Sequence, residues 1–252
     1  MNRPTLFYPL LILLIILLIM FSLLALTMGP AEIPLSDTIS ILLNRSKALK
    51  AISVHIIWNL RLPRILSGII TGAALAVSGM TYQAIFRNPM SDPFVLGVSS
   101  GAAFSVSLAS FLGIVTGAVG AWTVPIVAFI GSAITTVFIF ILSGGIRRSP
   151  TTLLLTGIAL NFLLSALMTL FLYLNRAQLQ NIMQWTMGSF AASSWNKVAI
   201  LSVTTIIGII PMFFLTRELD LLLLDNTTSL TIGMNIRTTR IILLLLCTLS
   251  TS

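Results

Sequence analysis

Between Phe7 and Met28 the chain carries no charged residue, and its only polar side chains are Tyr8, Ser22 and Thr27. Such a run matches the roughly 20 residues needed to cross a bilayer and exceeds the roughly 7–15 of a secretory signal core. It reads as a first membrane span rather than a cleaved leader. Further apolar runs follow at 65–86, 94–114, 122–143, 152–174 and 197–216, and a seventh starts at Ile241 and stops at Ser252. An isolated segment in hydrocarbon must satisfy its own backbone hydrogen bonds, so each run is expected as a helix. Composition agrees. Only 8% of the residues are charged and 57% are hydrophobic, whereas a soluble domain has about 25% charged residues. No soluble fold can hide that much apolar surface beneath a polar skin. The expected fold class is an all-α integral membrane protein, a polytopic helical bundle of six full spans plus a partial seventh.

The formal charge is +8. The basic residues sit between apolar runs, so topology and anionic headgroups explain them and no nucleic-acid partner is expected. With the N-terminus in the cytoplasm, the inner side holds Arg3, Arg87, Arg147, Arg148, Arg217, Arg237 and Arg240. The outer side then holds Arg45, Lys47, Lys50, Arg61, Arg64, Arg176 and Lys197, which is a tie on the positive-inside rule. Five of the outer charges lie in one long polar connection, 29–64, which also has an amphipathic stretch near 36–44. Without that connection the count is seven to two for an inner N-terminus, so either the orientation is reversed or the connection is basic for another reason.

Small residues recur every fourth position in the third run, at Gly97, Gly101, Ser105, Ala109 and Gly113, and in the second at Gly68, Gly72 and Ala76. That spacing keeps them on one helix face and lets backbones approach, which drives packing in lipid. Gly97-Val98-Ser99-Ser100-Gly101 also fits the G-x-S-x-G pattern of serine hydrolases. That chemistry needs a strand-to-helix elbow, a histidine and an acid, and the only histidine is His55, in a connection. The packing reading of these glycines is the stronger one. One cysteine, Cys247, excludes a disulfide framework within the chain and a Cys-based zinc site, and His55 has no cluster around it. No metal site, cofactor or catalytic residue is expected. There is no GxxxxGK[ST] loop, so any ATPase would be another polypeptide. All six carboxylates lie outside the apolar runs, which argues against an ion-coupled secondary carrier, the competing class of transporter. Asn161 is the most polar residue within a run; it reads equally as an interhelical hydrogen bond or as a pathway-lining amide.

From Arg61 to Ala103 the sequence reads RLPRILSGIITGAALAVSGMTYQAIFRNPMSDPFVLGVSSGAA. This ordered set resembles the permease family that imports iron siderophores, haem and cobalamin: an R-x-P-R entry, a Gly/Ala-rich helix ending in S-G-x-x-x-Q, an N-P-[LM]-x-x-P turn, and L-G-[VI]-x-x-G-A. Leu153–Leu160, Trp185–Ser189 and Ser194-Trp195 resemble it further, and Thr231-Ile232-Gly233-Met234 more weakly, with Ile where the family has Leu. Asp225-Asn226 stands where the family often has Gly-Glu. Permeases of that family usually have about ten spans, while 241–252 is too short to cross a roughly 30 Å core at 1.5 Å per residue. The chain is therefore expected to be a single transmembrane permease domain, 1–252, incomplete at its C-terminus, and a truncated product of this kind can be inactive alone.

The resemblance implies a transport subunit without its own catalysis, in the cytoplasmic membrane. It implies a second permease subunit, two ATPase subunits and an extracytoplasmic substrate-binding protein as partners. Iron chelate is the implied cargo and cobalamin the alternative. It implies that Arg61 and Arg64 meet glutamates on the binding protein, which explains why the outer connection is basic. Asn88, Pro89 and Met90, with Ser149, Pro150 and Thr151, are implied as an inner gate, with Asn161 on the pathway. Asp225, Asn226, Ile232, Gly233 and Met234 are implied as the coupling element that meets the ATPases.

Overall fold

The computed structural model describes residues 4–43, 51–94, 97–114, 123–144, 150–174, 187–224 and 234–251. Those residues are helices joined by turns, and they cluster into two compact units. The first comprises Met1–Ile69 with Phe190–Ile200; the second comprises Ile70–Ser189 with Leu201–Ser252.

In the first unit, α1 spans Pro4–Thr27. Its 24 residues reach about 36 Å, enough to cross a bilayer. Large apolar side chains from Leu6 to Leu24 are exposed all round it, an arrangement that suits lipid and not water. Helix α2, Leu35–Leu42, is the amphipathic stretch expected near 36–44. Pro34 precedes it and leaves no N–H to satisfy at the helix entry, and Thr38 and Ile41 are its buried side.

The connection expected over 29–64 is not a loop throughout. Ala51–His55 (α3) runs through a π-helical stretch, Ile56–Arg61, into α4, Leu62–Phe86, as one helical segment of 36 residues. Pro63 gives the physical reason for the π geometry. It has no N–H to offer the carbonyl of Asn59, and its ring crowds that carbonyl. The ladder widens there, and Leu62 N donates to Ile57 O, five residues back. Leu26, Ile33, Ile41 and Ile57 form the buried centre of this unit.

The second unit holds the C-terminal part of α4 with α5 (Val98–Phe111), α6 (Thr123–Leu142), α7 (Pro150–Leu174), most of α8 (Trp195–Phe214), α9 (Thr216–Leu223) and α10 (Ile236–Thr251). Helix α5 packs on both α6 and α7. The third apolar run thus folds as only 14 residues, about 21 Å, shorter than a span. Its end is a Schellman cap: Gly113 is left-handed at φ 74°, Gly113 N donates to Ser110 O, and Ile114 N to Ala109 O.

The ridge on α5 packs as its spacing implies. A Cβ at Gly101 would stand 3.0 Å from Gly131 O, and one at Gly131 2.7 Å from Gly101 O, so the α5 and α6 backbones nearly touch. The second ridge behaves differently: a Cβ at Gly68, Gly72 or Gly79 meets nothing within 4 Å among the described residues. Small size is necessary for close approach but does not cause it.

Two other boundaries differ from the sequence reading. The segment after α8 is helical over Thr216–Leu223, where Leu219 and Leu222 are buried and Glu218 lies in the first turn. Helix α10 starts at Ile236, before the apolar run at Ile241, because Asn235 caps it by accepting from Thr238 N. The cap brings Arg237 and Arg240 into the helix, with Arg240 buried.

Candidate functional site

In the first unit, Arg61 is 8% exposed. Its Nη1 donates to Leu26 O at 2.5 Å and its Nη2 to Ala31 O. Leu26 lies in the last turn of α1, where carbonyls have no partner within the helix. The guanidinium therefore closes the C-terminal end of α1 and fastens the chain that follows. Gly29 makes this possible: its φ is +151°, and a Cβ there would stand 2.8 Å from Arg61 Nη2. The docking role expected of Arg61 meets a physical obstacle, since its donors are turned inward onto backbone carbonyls.

Arg64 differs. It is exposed, and its Nη2 reaches Ala191 O at 3.2 Å. Lys197, also exposed, donates from Nζ to Ala192 O at 2.9 Å. The Trp58 and Trp195 rings lie 6.4 Å apart, and Trp195 Nε1 donates to Trp58 O. Tryptophans and cations grouped in this way are typical of a membrane–water boundary. His55 belongs to the same unit, where Asn59 Nδ2 donates to its Nδ1 at 3.0 Å. From the sequence Lys197 is only one outer charge and Trp195 only part of a motif, because the tie between 58–64 and 190–197 is tertiary.

In the second unit, Asn88, Pro89 and Met90 form the turn that follows α4. Asn88 Oδ1 accepts from Met90 N at 2.9 Å, and Asn88 O accepts from Ser91 N at 3.1 Å. The amide thus builds an Asx turn across Pro89, and Met90 is left 80% exposed at its tip. Asn161, on α7, donates from Nδ2 to Phe94 O at 3.3 Å. The bond ties α7 to the turn at Phe94 and not to a second helix, so it is not the interhelical bond expected.

Thr151 is exposed in the first turn of α7, which Pro150 opens, while Ser149 lies outside the described residues. Asp225, Asn226, Ile232 and Gly233 also lie outside them. Met234 is described and is 9% exposed, within the same buried cluster as Leu219 and Leu222. Its side chain is held in that cluster and is not presented outward, where a residue meeting the ATPases would be expected to lie. Gly97 is left-handed at φ 73° and opens α5, with Ser100 Oγ donating to its carbonyl. The G-x-S-x-G sequence is thus a helix entry and not a strand-to-helix elbow.

Five helices long and apolar enough to cross a bilayer among the described residues, one of them exposed all round, with a helix pair in backbone contact and basic–aromatic boundary residues, define a polytopic α-helical membrane protein. The profile of the FecCD transport family matches residues 14–252, and the chain belongs to that family. It is 38% identical over 205 residues to the hemin transport system permease protein HmuU of Yersinia pestis, covering 76% of this chain and 58% of that protein. It is 34% identical to the molybdate import system permease protein MolB of Haemophilus influenzae, covering 86% of this chain and 65% of that one. A cobalamin import system permease protein, BtuC of Halobacterium salinarum, is 35% identical over 78% of this chain and 53% of its own length. The chain thus spans between half and two thirds of the length of these curated relatives. A solved structure described as an inward-facing conformation of an ABC transporter of metal-chelate type superposes with a TM-score of 0.78 at 29% identity, covering 97% of this chain and 76% of that one.

Proposed function

We propose that this chain acts as the permease subunit of a binding-protein-dependent, ATP-driven importer that carries an iron chelate, a siderophore or haem, across the cytoplasmic membrane. The family match over 14–252 carries the reading. The hemin permease among the relatives supports the cargo class, and the likeness to an inward-facing metal-chelate transporter supports the mechanism. In this reading the subunit pairs with a second permease subunit and binds two separate ATPase subunits and an extracytoplasmic binding protein. Its N-terminus is cytoplasmic.

In this reading the work divides among three places. Arg64 and Lys197 present exposed charge on the outer side for an acidic binding protein. Opposite charge there accelerates encounter and sets register. Arg61 holds the outer connection in shape from within. The Asn88–Met90 turn, with Ser149, Pro150 and Thr151, forms the inner gate, and Asn161 ties the segment after the turn to α7. The segment that includes Asp225, Asn226, Ile232 and Gly233 receives the ATPase stroke and is rooted by Met234. Rocking of one part of the bundle against another would then open the path alternately to each side.

The test is uptake by vesicles containing the assembled transporter, with haem and a ferric hydroxamate as cargo. Uptake that needs ATP and the binding protein and survives collapse of the ion gradients is the expected result. Uptake that persists without ATP and collapses with the gradient would replace this reading with an ion-coupled carrier. Cobalamin import is the alternative cargo, favoured by the cobalamin permease among the relatives; competition among the three cargoes decides it.

A further inference from the structure

Helix α4 ends in a Schellman cap. Asn88 N donates to Gln83 O at 3.2 Å and Arg87 N to Ala84 O at 3.4 Å, which places Arg87 in the left-handed position at φ 50°. Glycine is the usual residue there, and this chain uses it elsewhere. Helix α5 ends on Gly113 at φ 74° and α6 on Gly144 at φ 77°. Among the described residues Arg87 is the only non-glycine with positive φ. A side chain there costs about 1 kcal/mol or more. Strain of this kind persists where the side chain does something a glycine cannot.

The Arg87 side chain leaves the turn and crosses to α9, where its Nε donates to Leu222 O at 2.6 Å. Leu222 lies in the last turn of α9, where the carbonyl has no helical partner and the dipole favours a cation. The Leu222 side chain is fully buried beside α4, in one cluster with Ile85, Phe86 and Leu219. On the other side, the Arg87 backbone leads directly into the Asx turn of Asn88, which has its own internal hydrogen bonds and little slack.

We propose that Arg87 is a positioning strut that links α9 to the Asn88–Met90 turn, so that a displacement of α9 is delivered to that turn rather than lost between them. This inference rests on the permease reading above and adds a route by which force on the polar segment reaches the gate. The guanidinium suits the task. It is long enough to cross to a neighbouring element, always charged, and planar, so its direction is set by its first bond. The strained backbone at its base fixes the other end.

The test uses the complete transporter assembled in vesicles. In a Cys247→Ser background, Met90→Cys carries a nitroxide label on the exposed tip of the turn. Arg87→Gly removes the strut while placing the residue that α5 and α6 use at the same position, so the helix end is retained. The expected result is a spectral change at residue 90 on trapping the ATPases with ATP and vanadate. Arg87→Gly should shrink that change, and raise the ATP hydrolysed per cargo molecule, by about fivefold or more, the low end of typical coupling between sites. Its melting temperature should stay within about 2 °C of the parent, less than the shift that a 1 kcal/mol loss produces in a domain of this size. An undiminished label response in Arg87→Gly overturns the strut. So does a lowered melting temperature with hydrolysis and uptake falling in step, which would mark a purely structural cap. A parent that transports with ATP but shows no label response also overturns it. A parent without ATP-driven uptake overturns the permease reading, and the strut with it.

Discussion

Gly29 and Arg61 lie so close that a methyl group on the first would press on the guanidinium of the second, with the Cβ 2.8 Å from Nη2. The arginine in turn holds Leu26 O and Ala31 O, so the two residues together shape the end of α1. Gly29→Ala should therefore destabilise the first unit, through both its φ of +151° and the contact. A loss of about 1–3 kcal/mol, as for other strained backbone sites, is expected. A thermal melt of the protein in detergent measures it; an unchanged midpoint would contradict the contact.

The two arginines of R-x-P-R should separate on mutation. On the proposed reading, Arg64→Glu is expected to weaken capture of an acidic binding protein severalfold at low ionic strength and much less at high salt, because exposed charges are screened within about 10 Å at 0.1 M. Arg61→Gln should lower thermal stability instead, with a capture defect that salt does not relieve, since it leaves backbone carbonyls unpaired in a buried place. Equal salt dependence in both variants would refute the division.

Gly101→Val and Gly131→Val should each separate α5 from α6. Backbone oxygens 3.0 and 2.7 Å from the added Cβ cannot yield as a flexible side chain would. A destabilisation of about 1–3 kcal/mol is expected from overpacking. Gly72→Val, with nothing within 4 Å among the described residues, is the control and should change the melting midpoint little.

Asn161→Leu removes the donor to Phe94 O. Side-chain hydrogen bonds between segments of a membrane protein contribute about 1 kcal/mol, so stability should fall by no more than that. A loss of uptake far larger than the loss of stability would place Asn161 on the pathway as well.

Cys247 is the only cysteine and is fully buried. A maleimide should leave the native protein unmodified and label it stoichiometrically once unfolded, which gives a melting assay for every variant that retains the thiol. Rapid labelling under native conditions would contradict the packing of α10 in the second unit.

Much of this architecture was legible along the chain. Uninterrupted apolar runs located α1, α4, α6, α7 and α8, because an isolated span in lipid has only the helix in which to satisfy its backbone. The ordered motifs from Arg61 to Gly101 carried the family resemblance, and the turn at Asn88 and Pro89 was readable from their own local chemistry. The helical stretch before α4 was not readable as such, since charged and polar residues at 58–64 concealed a segment held by packing and by a π turn at Pro63. Nor was the shortness of α5, whose end depends on the left-handed Gly113 and not on hydropathy.

The sequence by itself determined the solvent, the class of fold and the family, because these follow from local composition and from motifs that need no knowledge of neighbours. The tertiary structure decided what individual polar groups do. Arg61 and Arg64 are three positions apart in one motif, yet one is buried on the end of α1 and the other is exposed. Arg87 looked like one cytoplasmic charge among several until its side chain was found on Leu222 O. A charge has no fixed task in a sequence; its partner sets the task, and partners are brought together only by the fold.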